Sequence, residues 1–225
     1  MSFEPTTTVT RSRVDWGRAE FVLVALGFLG FLALPIRVTT IYDGLPAHPL
    51  FVHVPVILIP ATIVAAVVFM ARPVWFERFG AALALLSIMA MSSIFLTMQA
   101  GGALESALHL RGESARLISE HSQAAHILAI VYVAFTAVLI VTFAARRISR
   151  GRATGLGLLD RLLSPRAAFT GLRVLLVILA IGAGFMTFRT GDLGARAVWA
   201  GRLQAARDHP HGPTRQPARR SPGTL

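Results

Sequence analysis

The chain contains no cysteine. It can therefore form no disulfide, no thiolate zinc site and no iron–sulfur cluster. Lysine is absent as well, so all 22 basic residues are arginine. Acidic residues number only 11, which leaves a formal net charge of +11. That excess lies in connectors and a tail, not on one folded face. No nucleic-acid motif accompanies it, so nucleic acid is not an expected partner. Also missing are a glycine-rich phosphate loop, a nucleophile elbow and the HExxH zinc-protease pattern. No catalytic residue can be named on these grounds. We see no ionisable side chain in the middle of any apolar run, which argues against a proton or ion pump.

What the chain has in quantity is apolar sequence. Its 225 residues are 54% hydrophobic, with a mean hydropathy of +0.63. Soluble domains of this size are not usually so apolar, and the runs point to an integral membrane protein whose first partner is the lipid bilayer. Residues 1–18 read as a polar N-terminal arm and 19–36 as an N-terminal transmembrane helix. No A-x-A cleavage site precedes Pro35, so this run is expected to stay as an anchor. Residues 42–199 hold four further runs, at 50–71, 79–98, 124–145 and 169–188. Pro49 suits the first turn of a helix, and Pro60 predicts a kink inside the second run. Residues 99–123 predict a short amphipathic helix on the membrane surface. Residues 189–199 are expected to fold back over the outer mouth of the bundle. Residues 200–225 form an Arg/Pro-rich tail expected to be disordered.

Arginine sets an expected orientation. With five alternating spans, one side carries twelve arginines and the other seven, the last stretch of tail aside. This predicts a multi-pass membrane protein with its N-terminus cytoplasmic and its C-terminus outside the cell membrane.

The second and third runs can be laid over the fourth and fifth. His48 and His53 match His121 and His126, and Thr97-x3-Gly101 matches Thr187-x3-Gly191. Both hairpins start and end on the same side, so the repeat is parallel, about an axis along the membrane normal. The expected fold is all-α: a four-helix bundle built from two tandem hairpins, with the N-terminal helix packed outside it.

The paired histidines are the candidate chemistry. Five residues of helix turn about 140°, so the members of a pair do not share a face. We expect His53 and His126 to face each other across the pseudo-twofold axis and to hold a b-type haem, one imidazole on each side of the iron. His48 and His121 would flank it as neighbours of the propionates. Such a protein would carry electrons to or from a membrane redox or oxidase partner. Imidazole also suits copper and zinc. A site built on His53 and His126, with Met98 and Met186 nearby, would then serve metal handling or oxidase assembly. A third reading is a cofactor-free scaffold subunit whose histidines mark the membrane interface. His109, His209 and His211 read as solvated.

Two segments carry a resemblance. Residues 42–55 (YDGLPAHPLFVHVP) and 189–199 (RTGDLGARAVW) resemble the two ends of a bacterial inner-membrane family catalogued as domain of unknown function 2231. The resemblance spans residues 42–199 and implies a four-helix membrane core with no assigned activity. The N-terminal helix and the long arginine-rich tail depart from that pattern. The histidine arrangement, though not the sequence, is similar to that of small bis-histidine membrane cytochromes b.

Overall fold

The computed structural model describes residues 16–33, 41–42, 45–108, 112–150, 157–158 and 166–208. Helix α1 spans Trp16–Ala33. Two-residue strands β1 (Ile41–Tyr42) and β2 (Leu45–Pro46) then pair antiparallel, with Ile41 opposite Pro46. Four long helices follow: α2 (Ala47–Ala71), α3 (Pro73–Leu108), α4 (Gly112–Ile148) and α5 (Arg166–Asp208). All four are long and apolar enough to cross a membrane. The described apolar part of α1, Ala19–Phe31, is shorter than these; residues 34–36 of the expected N-terminal span lie outside the described residues.

Local chemistry sets the breaks. Pro73 has no N–H to continue α2, so only Arg72 separates α2 from α3. Trp75 N–H bonds the Arg72 carbonyl at 2.9 Å and starts the new helix. At the far end of α3, Gly112 adopts φ +65°, a conformation side chains resist, and opens α4. These ends correct two expectations. Among the described residues no separate surface helix lies over 99–123, because α3 continues to Leu108 and α4 begins at Gly112. Residues 189–199 do not fold back but continue α5, which reaches Asp208 and so takes in the start of the expected tail. The arm through residue 15, most of the basic connector, His109, His209 and His211 lie outside the described residues.

The helices form a ring in the order α2, α3, α4, α5, each packed on the next and α5 closing on α2. Helices α2 and α4 therefore face each other diagonally, as the parallel repeat requires. Helix α1 lies outside the ring against α3, with Phe21 and Val24 buried and the Phe31 and Phe95 rings 5.2 Å apart. The outward faces are apolar: Leu50, Val54, Ile57 and Val64 on α2, and Ile178, Ile181 and Phe185 on α5 are all exposed. In water such a surface would drive aggregation; in a bilayer it is the lipid contact.

Within the ring, Ile59, Met91, Tyr132, Phe135, Leu139 and Leu176 make a continuous core. A hydroxyl cluster crosses it. Thr62 Oγ1 lies 2.5 Å from the Tyr132 hydroxyl, and Ser87 Oγ lies 2.8 Å from Thr136 Oγ1. Thr62 directs its only proton at the Leu58 and Ile59 carbonyls of its own helix, so Tyr132 is the donor between them. Tyr132 thus places a weakly acidic phenol mid-run, contrary to the expectation that no ionisable group sits there. At the connector end, Glu77 on α3 accepts from Arg146 and from Arg150, the latter at 2.7 Å. Arg147, only 8% exposed, reaches Glu20 on α1 at 2.9 Å. Arg173 caps α2 through the Met70 carbonyl at 2.7 Å.

Candidate functional site

At the end of the bundle away from these arginines, α2 and α4 bring two imidazoles together. His48 is the second residue of α2, because the helix begins at Ala47, earlier than the apolar run at Leu50 implied. Its Nδ1 donates to the Thr97 carbonyl of α3 at 3.0 Å. His121 lies well inside α4, and its Nδ1 donates to the Thr190 carbonyl of α5 at 2.9 Å. The two rings lie edge to face, with centroids 6.4 Å apart and planes at 88°. A carbonyl can only accept, so each Nδ1 carries its proton. In the neutral form of such a ring the lone pair is on Nε2. This hydrogen bond to a backbone carbonyl is the usual way a metal-ligating histidine is fixed in tautomer and direction.

Both cradles are built alike. A carbonyl in a helix points towards the residue four positions on, and its bond to that N–H leaves one lone pair for a second donor. The residue four on from Thr97 is Gly101, and four on from Thr190 is Gly194. A Cβ on Gly101 would sit 3.0 Å from His48 Nδ1, and one on Gly194 would sit 3.0 Å from His121 Cε1. Absence of a side chain is what lets each ring reach its carbonyl. The threonine hydroxyls turn away into their own helices, Thr97 Oγ1 to Ser93 O at 2.8 Å and Thr190 Oγ1 to Met186 O at 2.7 Å.

His53 and His126 do not meet. Both are exposed on the outside of the bundle. Each Nδ1 donates back to the carbonyl four residues earlier, His53 to Pro49 at 2.7 Å and His126 to Ser122 at 2.8 Å. The expectation that these two face each other across the axis is therefore reversed. The 140° between members of a pair was right, but it did not say which member turns inward. With α2 starting at Ala47, His48 is itself helical, and it takes the inner face. Met186 is buried in the core and Met98 packs at its edge.

The repeat holds with one change of register. The shift that takes His48 to His121 also carries the buried Pro55, Ile59, Thr62, Ala66 and Met70 of α2 onto Leu128, Tyr132, Phe135, Leu139 and Phe143, all buried. The shift that takes Thr97 to Thr190 carries Leu83, Ser87, Ala90 and Ser93 onto Leu176, Ala180, Ala183 and Met186, again all buried. Thr97-x3-Gly101 thus corresponds to Thr190-x3-Gly194, not to Thr187-x3-Gly191. Thr190, Gly194 and the role of Gly101 were missed. The Thr-x3-Gly signal was present in both copies but overlapped itself in the second.

Among the described residues, no three His, Asp or Glu side chains gather as a metal-binding group. The donor set here is two imidazoles. A family model described as "Predicted membrane protein (DUF2231)" matches residues 44–207. No curated protein and no solved structure matches the chain.

Proposed function

The chain belongs to this family of predicted membrane proteins, and from that premise we propose that it binds b-type haem between His48 and His121 and transfers electrons in the inner membrane. The observation that carries the reading is the symmetry-related imidazole pair, each ring fixed through Nδ1 by a carbonyl on the neighbouring helix. Metal–imidazole bonds of about 2 Å on either side of one ion would put the ring centroids roughly 6 Å apart. The observed 6.4 Å supports a shared metal. The number of donors then favours haem. Structural zinc takes four protein ligands and catalytic zinc three, whereas a porphyrin supplies four nitrogens and asks the protein only for the two axial ones.

Bound haem would supply one-electron redox chemistry. The chain's part is to hold two imidazoles as neutral Nε2 donors and to surround them with apolar helices. On the arginine asymmetry, this end of the bundle faces outward from the cell, towards a membrane redox or oxidase partner. Copper is the second reading, since two imidazoles at this separation also suit a two-coordinate Cu(I) ion. The test is the oxidised and reduced visible spectrum of the purified protein, together with its metal content. Haem predicts a Soret band with sharp α and β bands on reduction, at one iron per chain. Copper without those bands favours the second reading. Folded protein with neither metal, even after reconstitution, contradicts both and leaves the scaffold subunit.

A further inference from the structure

The two arginines at the α2–α3 turn differ from the arginines beside them. Arg146 and Arg150 bond Glu77, Arg147 bonds Glu20, and Arg173 bonds the Met70 carbonyl. Arg72 and Arg78 are exposed, and among the described residues neither side chain has an oxygen acceptor. Each is held over an aromatic ring instead. The Arg72 guanidinium carbon lies 5.8 Å from the centre of the Trp75 ring, and that of Arg78 lies 5.4 Å from the centre of the Phe79 ring. Stacking occupies a face of the guanidinium and leaves its N–H edge free to donate. Phe69 joins the two stacks, its ring 6.2 Å from Trp75 and 6.1 Å from Phe79. The result is a row of aromatic rings with a cation at either end.

This row sits where a bilayer changes from chains to headgroups. Only Arg72 separates two helices that are long and apolar enough to cross a membrane. Val64, Val67 and Val68 are exposed on α2 just before the turn, and Val74, Trp75 and Phe79 continue the exposed apolar surface onto α3. Indole rings favour the membrane–water interface. The first turn of α3 carries no acidic residue, so its helix dipole adds positive potential unopposed. Among the described residues, the acids at this end, Glu20 and Glu77, are already bonded to arginines of α4. An anion for Arg72 and Arg78 therefore comes from outside these elements. One that also covers the exposed rings must carry an apolar body, which a free phosphate lacks and a lipid has.

We infer that the α2–α3 turn is a binding site for an anionic phospholipid, whose phosphodiester oxygens accept from Arg72 and Arg78 and whose acyl chain lies along Trp75, Phe69 and Phe79. A zwitterionic headgroup binds less well, because its ammonium meets the same two cations. The site is independent of the metal centre at the other end of the bundle.

The test uses the full-length protein in detergent with added phosphatidylglycerol or phosphatidylcholine, and counts retained lipid by native mass spectrometry. Wild type should prefer phosphatidylglycerol. The double variant Arg72→Gln/Arg78→Gln should bind it about thirtyfold more weakly, from about fivefold for each arginine at a membrane surface. Both side chains are exposed and bond no carboxylate, so the double variant should keep its helical circular dichroism and its lipid-free melting temperature. Arg116→Gln/Arg196→Gln is the control. It removes the same charge from exposed arginines that already pair with Glu120 and Asp192 in their own helices, and it should leave lipid retention near the wild-type level. Equal retention of the two lipids by wild type, or a phosphatidylglycerol preference that survives Arg72→Gln/Arg78→Gln, overturns the inference. So does an equal loss in the control, which would reduce the effect to net charge. Displacement of the lipid by inorganic phosphate, beyond that caused by sodium chloride of equal ionic strength, would make this an anion site without lipid and overturn it as well.

Discussion

At the residue scale, the site depends on two side chains that are not there. Gly101→Ala would press a methyl group against the His48 ring, and Gly194→Ala would do the same to His121. Each ring would have to leave its carbonyl. We expect a cost of about 1–3 kcal/mol in a melt and a weakened metal spectrum for either change, by the usual cost of overpacking. Gly102 and Gly191 are the controls. Nothing lies within 4 Å of a Cβ at either position. Alanine there should stabilise the helix by about 0.5–1 kcal/mol and leave the spectrum alone. Tyr132→Phe should cost only about 0.6 kcal/mol, because Thr62 keeps its own helix carbonyls and polar contacts in membranes are weak on average. A loss of several kcal/mol in the same melt would show that the hydroxyl cluster is a cooperative network. That cluster was open to sequence reasoning. Tyr132 and Thr136 are four apart, so they lie close on one helix face, but hydroxyls carry no charge to mark them out inside an apolar run.

Among the elements, the four runs within residues 42–199 were legible and their ends were not. Apolar composition marks where a helix meets lipid, whereas α3, α4 and α5 continue as helix beyond that point into polar sequence. Nor could composition say which face of a run turns inward, since lipid and core are equally apolar. That is why His53 and His126 were chosen over His48 and His121. The register of the second hairpin failed for a local reason: Thr187, Thr190, Gly191 and Gly194 offer two overlapping matches to Thr97 and Gly101. Charge pairs across elements should outweigh those within one. Glu77 joins α3 to two arginines of the α4 end, Arg146 among them at 21% side-chain exposure. Glu77→Ala should cost about 1–2 kcal/mol, reduced from the buried value by this partial exposure. Asp192→Ala, which breaks an exposed pair with Arg196 within α5, should cost about 0.3–0.5 kcal/mol. A chemical-denaturation series in detergent ranks the two, and the reverse order would contradict this account of the connector end.

For the whole molecule, a parallel repeat sets two hairpins about one axis and places a histidine from each across it. The repeat was legible in the matched spacing of His48–His53 and His121–His126. The meeting of His48 with His121 was not, because it depends on where α2 starts. The arginine asymmetry predicts an orientation. In this cysteine-free chain, a cysteine at position 114 in place of Ser114 should be labelled by an impermeant reagent in intact cells, and one replacing Thr154 should not. Reversed labelling would move the histidine end to the cytoplasm and change the compartment of any partner. The central claim is that His48 and His121, not His53 and His126, hold the metal centre, and the visible spectra of the four single histidine-to-alanine variants test it most directly. The geometry predicts that His48→Ala and His121→Ala each abolish the low-spin haem bands while His53→Ala and His126→Ala retain them. Bands that survive the first two changes and vanish with the last two would contradict it.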